Sequence, residues 1–287
     1  MQPTLAYLKA MAGPPRRMWL YHARYRDFGP LYATLAPIRS VATRLSRRLA
    51  GVAEATEARL LMIEGERGIL GPAHEAYTGH SSRENRAVWS AWDWSRGGEE
   101  WDDTDRPAEW RESVVEDVLL PYLGSGGAVL EIGPGAGRWS VALQARAGRL
   151  VLVDVTDRAL ELCRERFPEA DNVEYVLTDG ATLPGVADRS IDFVWSFDAF
   201  VHVAPLDIAS YLSEIARVLR PAAKAVIHHS GRVRGPGWRS PMTAPLFARL
   251  ARERELVVTR QFDSWGNGRF GVRTHQDVIT VLESPSE

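Results

Sequence analysis

The stretch AVLEIGPGAGRWS, residues 128–140, joins a short apolar run to three glycines within five positions. Gly133, Gly135 and Gly137 weaken a strand or a helix, because glycine loses the most backbone freedom when it becomes ordered. Their presence indicates a backbone that turns tightly or lets another group come very close. A glycine-rich turn alone does not separate these two interpretations, since a purely structural turn uses the same residues.

Apolar runs alternate with helical patterns after residue 107, and this alternation predicts an α/β fold. Continuous apolar strands indicate a mostly parallel sheet that is covered on both faces. The predicted strands are residues 128–132, 149–155, 173–177, 191–197, 223–229, 256–262 and 277–283. The last two are joined by a linker rich in turn formers, which predicts an antiparallel hairpin. We therefore expect a doubly wound seven-stranded sheet with a terminal antiparallel hairpin.

The N-terminal part differs from the rest in charge, and it predicts a helical cap at 1–106 before a catalytic domain at 107–287. Residues 1–60 contain ten Lys or Arg but three Asp or Glu, and 30–64 repeat apolar residues at helical spacing. We expect this helix to pack on the main domain with its basic face in solvent. Contact with a membrane surface or an acidic partner is the alternative.

Five of the ten tryptophans fall between residues 81 and 110, interleaved with polar residues and glycines. They are Trp89, Trp92, Trp94, Trp101 and Trp110. Indole rings often line pockets, and the glycine pair at 97–98 offers a hinge. The segment therefore predicts a lid over a bound ligand, with a static aromatic brace as the alternative.

Composition excludes several classes of protein. A single cysteine, Cys163, rules out an intramolecular disulfide and a cysteine-rich zinc site. The net charge of −2 gives no global support for nucleic-acid binding. The absence of an apolar run near 18 residues predicts no membrane span, and the absence of a signal-peptide pattern predicts a cytoplasmic protein.

The glycine turn fits neither of two common nucleotide motifs. A dinucleotide fingerprint needs a small residue where Arg138 or Ser140 stands, and no Gly-Lys-Ser/Thr follows for a P-loop. This mismatch argues against a nicotinamide-dependent reductase. Asp154 ends the second predicted strand, where an acid can accept both hydroxyls of a ribose, and Asp179 follows the third strand, where it can accept from an adenine amino group.

Four motifs in order resemble the class I S-adenosylmethionine-dependent methyltransferases. They are VLEIGPGAGRWS, LVLVDVT, VEYVLTDGATLPGVADRSIDFVWSFDAFVHV and ARVLRPAAKAVIHHS. The resemblance covers about residues 107–283 and implies S-adenosylmethionine as the cofactor. It assigns to the cofactor Glu131, Gly133, Gly135, Gly137, Asp154, Val155, Asp179, Gly180, Ala181, Ser196 and Phe197.

The resemblance also implies a role for each group. The glycine loop would pass under the methionine part of the cofactor, and Glu131 would act near its amino group. Asp154 would hold the ribose, and Asp179 with the next two residues would hold the adenine. Backbone at 196–197 would close the site.

Methyl transfer to a hydroxyl usually needs a general base. The candidates near the carboxyl ends of strands are His202, His228, His229 and Asp198. Strand alternation places His228 and His229 on opposite faces, so one of them at most faces the site. A metal centre built from these side chains is the weaker alternative, because their spacing matches no ligand signature.

The acceptor is the least determined part of the sequence. Trp94 and Trp238 could stack on a ring, and Arg239 could meet an anionic group, although 230–243 also fits a solvated loop. We expect transfer to an oxygen or nitrogen of a small molecule or glycan. A protein or peptide methyltransferase and a cofactor-binding scaffold without catalysis remain alternatives.

Overall fold

A computed structural model of the chain describes residues 81–99, 108–231, 239–272 and 276–286. The expected helix at 30–64, Trp101 and Trp238 lie outside the described residues.

Seven strands of the described part form one sheet in the order β3-β2-β1-β4-β5-β9-β6. They are β1 Ala128–Ile132, β2 Arg149–Asp154, β3 Val173–Leu177, β4 Ile191–Phe200, β5 Leu219–Ser230, β6 Val257–Phe262 and β9 Asp277–Glu283. Strands β1 to β5 are parallel, whereas β9 runs antiparallel to both β5 and β6. The predicted doubly wound sheet with a terminal antiparallel pair is confirmed.

Helices and a short second sheet make up the other regular elements of the described residues. The helices are α1 Ser82–Ser90, α2 Ala108–Ser113, a π-helical stretch Val114–Leu119, α3 Ser140–Gln144, α4 Asp157–Arg166, α5 Pro205–Val218 and α6 Ala244–Arg252. A second, two-stranded sheet pairs β7 Ser264–Trp265 with β8 Phe270–Gly271 in the linker between β6 and β9.

The inner strands of the sheet are buried on both faces, as their apolar runs predict, whereas the edge strands β3 and β6 are partly exposed. Leu130 of β1 belongs to the apolar cluster that also contains residues of α5 and α6. Its neighbour Val129 belongs to the opposite cluster, which contains Trp110, Trp139 and Trp195. Successive side chains of a strand point to opposite faces, so continuous apolar runs supply both layers.

The helix after the glycine turn is shorter than the sequence predicts. The pattern at 136–148 predicts one continuous helix, but α3 begins at Ser140 and ends at Gln144. Gly137 has a φ of +81°, which is outside the right-handed helical region, and its N–H donates to the Pro134 carbonyl in a turn. The chain therefore completes its turn before it can enter a helix.

The described helices include none with the length and apolar character that a membrane crossing requires.

Candidate active site

A cavity of about 800 Å³ opens at the carboxyl ends of the parallel strands. This is the edge at which doubly wound sheets bind ligands. Its floor is formed by residues that follow β1, β2 and β4, and its roof is formed by residues 82–98. Its volume is in the range of small-molecule sites.

The three glycines of the turn have different neighbours. Gly133, Gly135 and Gly137 all have positive φ, at +73°, +55° and +81°. A Cβ on Gly133 would lie 2.4 Å from the Cβ of Ala199, and one on Gly135 would lie 3.0 Å from the Trp94 ring. The first two glycines line the cavity, whereas Gly137 packs against α4. The turn is therefore required both by backbone conformation and by close packing.

Asp154 and Val155 stand on the cavity wall where β2 ends. Oδ1 of Asp154 accepts the backbone N–H of Thr156 at 2.9 Å and its hydroxyl at 3.0 Å. Burial raises the pKa of Asp154 to about 6, although these hydrogen bonds act in the opposite direction. A buried carboxylate of this kind suits hydroxyl donors, which add hydrogen bonds without adding charge.

The turn after β3 contributes through Gly180, which lies on the cavity wall. Asp179 is exposed, and its Oδ1 accepts backbone N–H groups of Ala181 and Thr182 at 2.9 and 2.8 Å. Burial opposes ionisation of Asp179, but these hydrogen bonds outweigh it and hold the pKa below its usual value. The cavity wall includes neither Asp179 nor Ala181, so this carboxylate organises the turn around Gly180.

Two other predicted cofactor residues lie beneath the wall. Glu131 is 1 % exposed, and its carboxylate accepts the hydroxyl of Ser140. Burial raises the pKa of Glu131 to about 8. Ser196 is also buried and donates its hydroxyl to the Ile132 carbonyl at 2.8 Å, whereas its neighbour Phe197 reaches the cavity.

Comparison with known proteins shows which proteins this chain is similar to. A family model described as "Methyltransferase domain" matches residues 129–222, from β1 into β5. The "Probable O-methyltransferase" of Mycobacterium tuberculosis is 33% identical over 154 residues, which are 50% of this chain and 61% of that protein. Residues 129–222 therefore match a methyltransferase domain, and the chain is similar to O-methyltransferases over half of its length.

Solved structures share the fold of this chain. The methyltransferase in the Haloferax volcanii complex with the Trm112 activator has a TM-score of 0.56 and 21% identity, and covers 70% of this chain and 98% of its own. A SAM-dependent methyltransferase from Aquifex aeolicus has a TM-score of 0.51 and 20% identity, covering 67% and 98%. The chain thus spans three fifths of the mycobacterial relative but nearly all of these two structures.

Residues 81–99 contain the roof of the cavity, and we call this segment the strap. Its first half is α1, whose N-cap Ser81 forms a capping box with Glu84. Arg86 donates to the carbonyls of Val155 and Thr178, both at 3.1 Å. Asn85 donates to the His202 carbonyl at 2.9 Å. These contacts fasten α1 to the loops that follow β2, β3 and β4.

The second half of the strap lies over the glycine turn. Trp94 is 9% exposed and donates its indole N–H to the Trp89 carbonyl at 3.2 Å. The Gly97 carbonyl accepts from Arg166 of α4. The carboxylate of Glu99 lies 2.9 Å from Arg111 and 3.8 Å from the buried Arg138. The strap therefore contacts the loops after β2, β3 and β4 as well as the region of the glycine turn. Its function as a lid stays a prediction.

Three of the predicted catalytic and acceptor residues line the cavity with Trp94. They are Asp198, His202 and Arg239. Asp198 has a φ of +61°, an uncommon conformation for a residue other than glycine that often marks functional sites. The His202 ring packs edge-on against Trp89, with 5.0 Å between ring centroids.

The two adjacent histidines of β5 are fully buried and face opposite layers, as strand alternation predicts. His228 packs on Phe197 behind the cavity wall, with ring centroids 4.4 Å apart. His229 stacks on Phe247 of α6, and its Nε2 lies 2.7 Å from the Thr280 hydroxyl. Burial lowers the pKa of His229 to about 3. His229 therefore lies in the core on the side away from the cavity.

Sequence reasoning missed Asp277 and Tyr211. Asp277 is 1% exposed, with Oδ2 lying 3.4 Å from Nε2 of His228 and 3.2 Å from Nη2 of Arg239. Tyr211 of α5 lines the cavity, and burial raises the pKa of its hydroxyl. A polar residue at the start of an apolar strand was the available signal for Asp277, but its partner depends on the register of β9.

No group of three or more His, Cys, Asp or Glu side chains placed to hold a metal ion occurs within the described ranges.

Proposed function

We propose that this chain transfers a methyl group from S-adenosylmethionine to an oxygen of a small hydroxyl-bearing molecule. The observation that carries the proposal is one cavity whose wall contains the glycine turn, Asp154 and Asp198 together. The match of residues 129–222 to a methyltransferase domain and the similarity to the mycobacterial O-methyltransferase support this reaction class. When bound, the cofactor supplies the methyl group and its sulfur keeps the electron pair of the broken bond.

The residues around the cavity fit the parts of this cofactor. Asp154 accepts the ribose hydroxyls, because its buried carboxylate gains neutral donors there. Val155 and Gly180 contact the adenine, and Gly133 with Gly135 lets the backbone approach the methionine part. Asp179 acts indirectly, by shaping the turn that presents Gly180.

Asp198 is the general base of the proposal. It stands on the cavity wall, and its carboxylate takes the hydroxyl proton as the oxygen attacks the methyl carbon. The proton then passes to solvent when the site opens. His202 also lines the cavity and is the competing base, although its ring is packed edge-on against Trp89 of the strap.

The cavity wall favours an uncharged, ring-bearing or apolar acceptor. Trp89, Trp92 and Phe197 provide aromatic surface, which binds flat apolar molecules through burial and ring packing. The two arginines on the wall, Arg138 and Arg239, already lie against the carboxylates of Glu99 and Asp277. A phosphate or carboxylate on the acceptor would have to displace those partners. This argues for phenol-like hydroxyls over sugars and anions.

The test is transfer of labelled methyl from S-adenosylmethionine to matched acceptors. The acceptors include a phenol and the same phenol with a phosphate group at another ring position. The others are an aliphatic alcohol, an aniline, a hexose and a peptide mixture. Labelled methyl ether from the phenol, with weaker transfer to the phosphorylated partner, supports the proposal. Tight cofactor binding by calorimetry without transfer to any acceptor would instead indicate a scaffold. Transfer to the peptides alone would indicate a protein methyltransferase.

A further inference from the structure

A row of ionisable groups runs from the cavity into the sheet, and all of them except Asp198 are buried. Nδ1 of His228 lies 3.3 Å from Oδ1 of Asp198, and its Nε2 lies 3.4 Å from Oδ2 of Asp277. Arg239 approaches the same Oδ2 at 3.2 Å. Strands β4, β5 and β9 and the segment before α6 thus bring two carboxylates, an imidazole and a guanidinium together. Burying such groups costs free energy, which indicates that their arrangement has a role other than stabilising the fold.

The partners of His228 define which of its nitrogens carries the proton. The backbone N–H of Asp198 points at Nδ1 from 3.1 Å, and a backbone N–H always donates. Nδ1 must therefore offer its lone pair in this arrangement. Nε2 faces Asp277, an acceptor when ionised, so the proton of the neutral imidazole belongs on Nε2.

We propose that Asp277 is a positioning residue for Asp198, acting through the tautomer of His228. Asp277 holds the imidazole proton on Nε2, which leaves Nδ1 free to anchor the Asp198 backbone in its left-handed conformation. The Asp198 carboxylate is then directed at the acceptor. This inference rests on the proposed function for the role of Asp198, but the tautomer itself does not depend on catalysis.

The same geometry makes the arrangement sensitive to pH. Protonation of His228 places a second N–H on Nδ1, which repels the Asp198 backbone N–H and attracts Oδ1 at 3.3 Å. The carboxylate is then engaged by the imidazolium and withdrawn from the acceptor. Activity therefore requires neutral His228 and falls as pH decreases through its pKa.

The groups that face His228 fix the direction of its pKa. Burial lowers it, but Asp198 and Asp277 together raise the pKa of His228 above its usual value. His229 is the neighbouring titratable group on β5, and Arg239 lies beyond Asp277. Removing the Asp277 charge should therefore lower the pKa of His228 and move the acid limb of kcat to lower pH.

The first experiment measures kcat against pH for the wild type and Asp277→Asn. We expect the acid limb to move down by about 1 pH unit, the scale of losing one adjacent opposite charge. Glu283→Gln is the matched control, because Glu283 is also on β9 and pairs with Lys224 of β5 at 3.1 Å. An unmoved limb in Asp277→Asn, or an equal shift in Glu283→Gln, would overturn the proposal.

The second experiment separates positioning from direct base catalysis. His228→Asn keeps a carbonyl oxygen near the place of Nδ1 and cannot be protonated, whereas His228→Leu leaves the Asp198 N–H without that acceptor. We expect His228→Asn to lose the part of the acid limb that comes from His228, and to retain at least ~10-fold more turnover than His228→Leu. Equal loss of turnover in both variants would overturn the role of Nδ1 as the acceptor that positions Asp198.

A third measurement does not use activity. Nitrogen NMR of the histidine side chains, with His228 assigned by comparison with His228→Asn, should show Nε2 protonated and Nδ1 bare in the wild type. Asp277→Asn with Arg239→Met keeps the buried charge balanced if the single variant folds poorly, and it should show mixed tautomers. Nδ1 protonated in the neutral wild type would refute the inference even if methyl transfer is demonstrated. Failure of methyl transfer with the expected tautomer would refute only the function.

Discussion

Trp94 lies directly over Gly135, so that a Cβ on Gly135 would fall 3.0 Å from Cη2 of the indole. This contact joins the strap to the glycine turn at a point where neither backbone nor ring has spare room. A methyl group there would displace the strap, and the φ of +55° would be strained as well.

Gly135→Ala should therefore weaken cofactor binding about 10-fold and change tryptophan fluorescence, because the strap no longer seats on the turn. Calorimetry and emission spectra of the variant measure both effects. Gly124→Ala is the matched control, since nothing lies within 4 Å of a Cβ at that position. Wild-type affinity in Gly135→Ala would show that the Trp94 contact does not hold the site closed.

Asp154→Ala should reduce the affinity for the demethylated cofactor by on the order of 1–3 kcal/mol, because the ribose hydroxyls lose a buried acceptor. Asp179→Ala should have a smaller effect, since that carboxylate is exposed and bonds within its own turn. Calorimetric titration of both variants makes the comparison. Equal losses would mean that Asp179 contacts the ligand directly.

His229→Ala should cost stability and spare turnover. The truncation removes a ring that stacks on Phe247, for a loss of roughly 2–4 kcal/mol in the free energy of unfolding. The pKa of His229 is lowered from 6.5 to about 3. Its contribution to the free energy of unfolding is therefore complete above about pH 6.5 and is lost as pH falls toward 3. At pH 5 the wild type should lose roughly 2 kcal/mol of stability through this group, and the variant should not. Urea unfolding at pH 5 and 8 tests this, and a large fall in kcat of the folded variant would contradict it.

Glu131→Gln should make the free energy of unfolding depend less on pH between pH 5 and pH 9. Its pKa is raised from 4.5 to about 8, so its contribution is complete below pH 4.5 and is lost as pH rises through 8. From pH 5 to pH 9 the variant should gain at most roughly 4 kcal/mol in the free energy of unfolding relative to the wild type. Denaturant midpoints at the two values provide the measurement, with the exposed Glu169→Gln as control. No change in the profile would mean that the carboxylate ionises without cost.

Cofactor should protect the strap from trypsin if the strap acts as a lid. Cleavage after Arg83, Arg86 and Arg96 should slow on ligand addition, because these exposed bonds belong to a segment that packs on the cavity. Arg189 is an exposed site far along the chain and serves as the internal control. Identical cleavage of the strap with and without ligand would favour a static brace.

Local patterns predicted the sheet because each buried strand is a contiguous apolar run. β9 was predicted with the bounds that the structure has, Asp277–Glu283. The opposite facing of His228 and His229 follows from the same local geometry. The glycine turn and Asp154 were equally visible, since their place relative to β1 and β2 is set by a few neighbouring residues.

Contacts that depend on long-range register could not be predicted. Asp277 pairs with Ser230 and stands diagonal to His228 on the same face, a relation fixed by the antiparallel alignment of β9 with β5. The position of the strap over the cavity depends on contacts such as Asn85 with the His202 carbonyl, 117 residues apart. A single sequence carries no record of such pairings.

Because β9 follows β6 in the chain but lies between β5 and β6 in the sheet, it must enter a slot between two strands made earlier. During synthesis from the N-terminus, the glycine turn, Asp154 and Asp198 all emerge before that slot can be filled. Asp277 is the first residue of the inserting strand. His228 therefore acquires its second carboxylate only when the last strand enters the sheet.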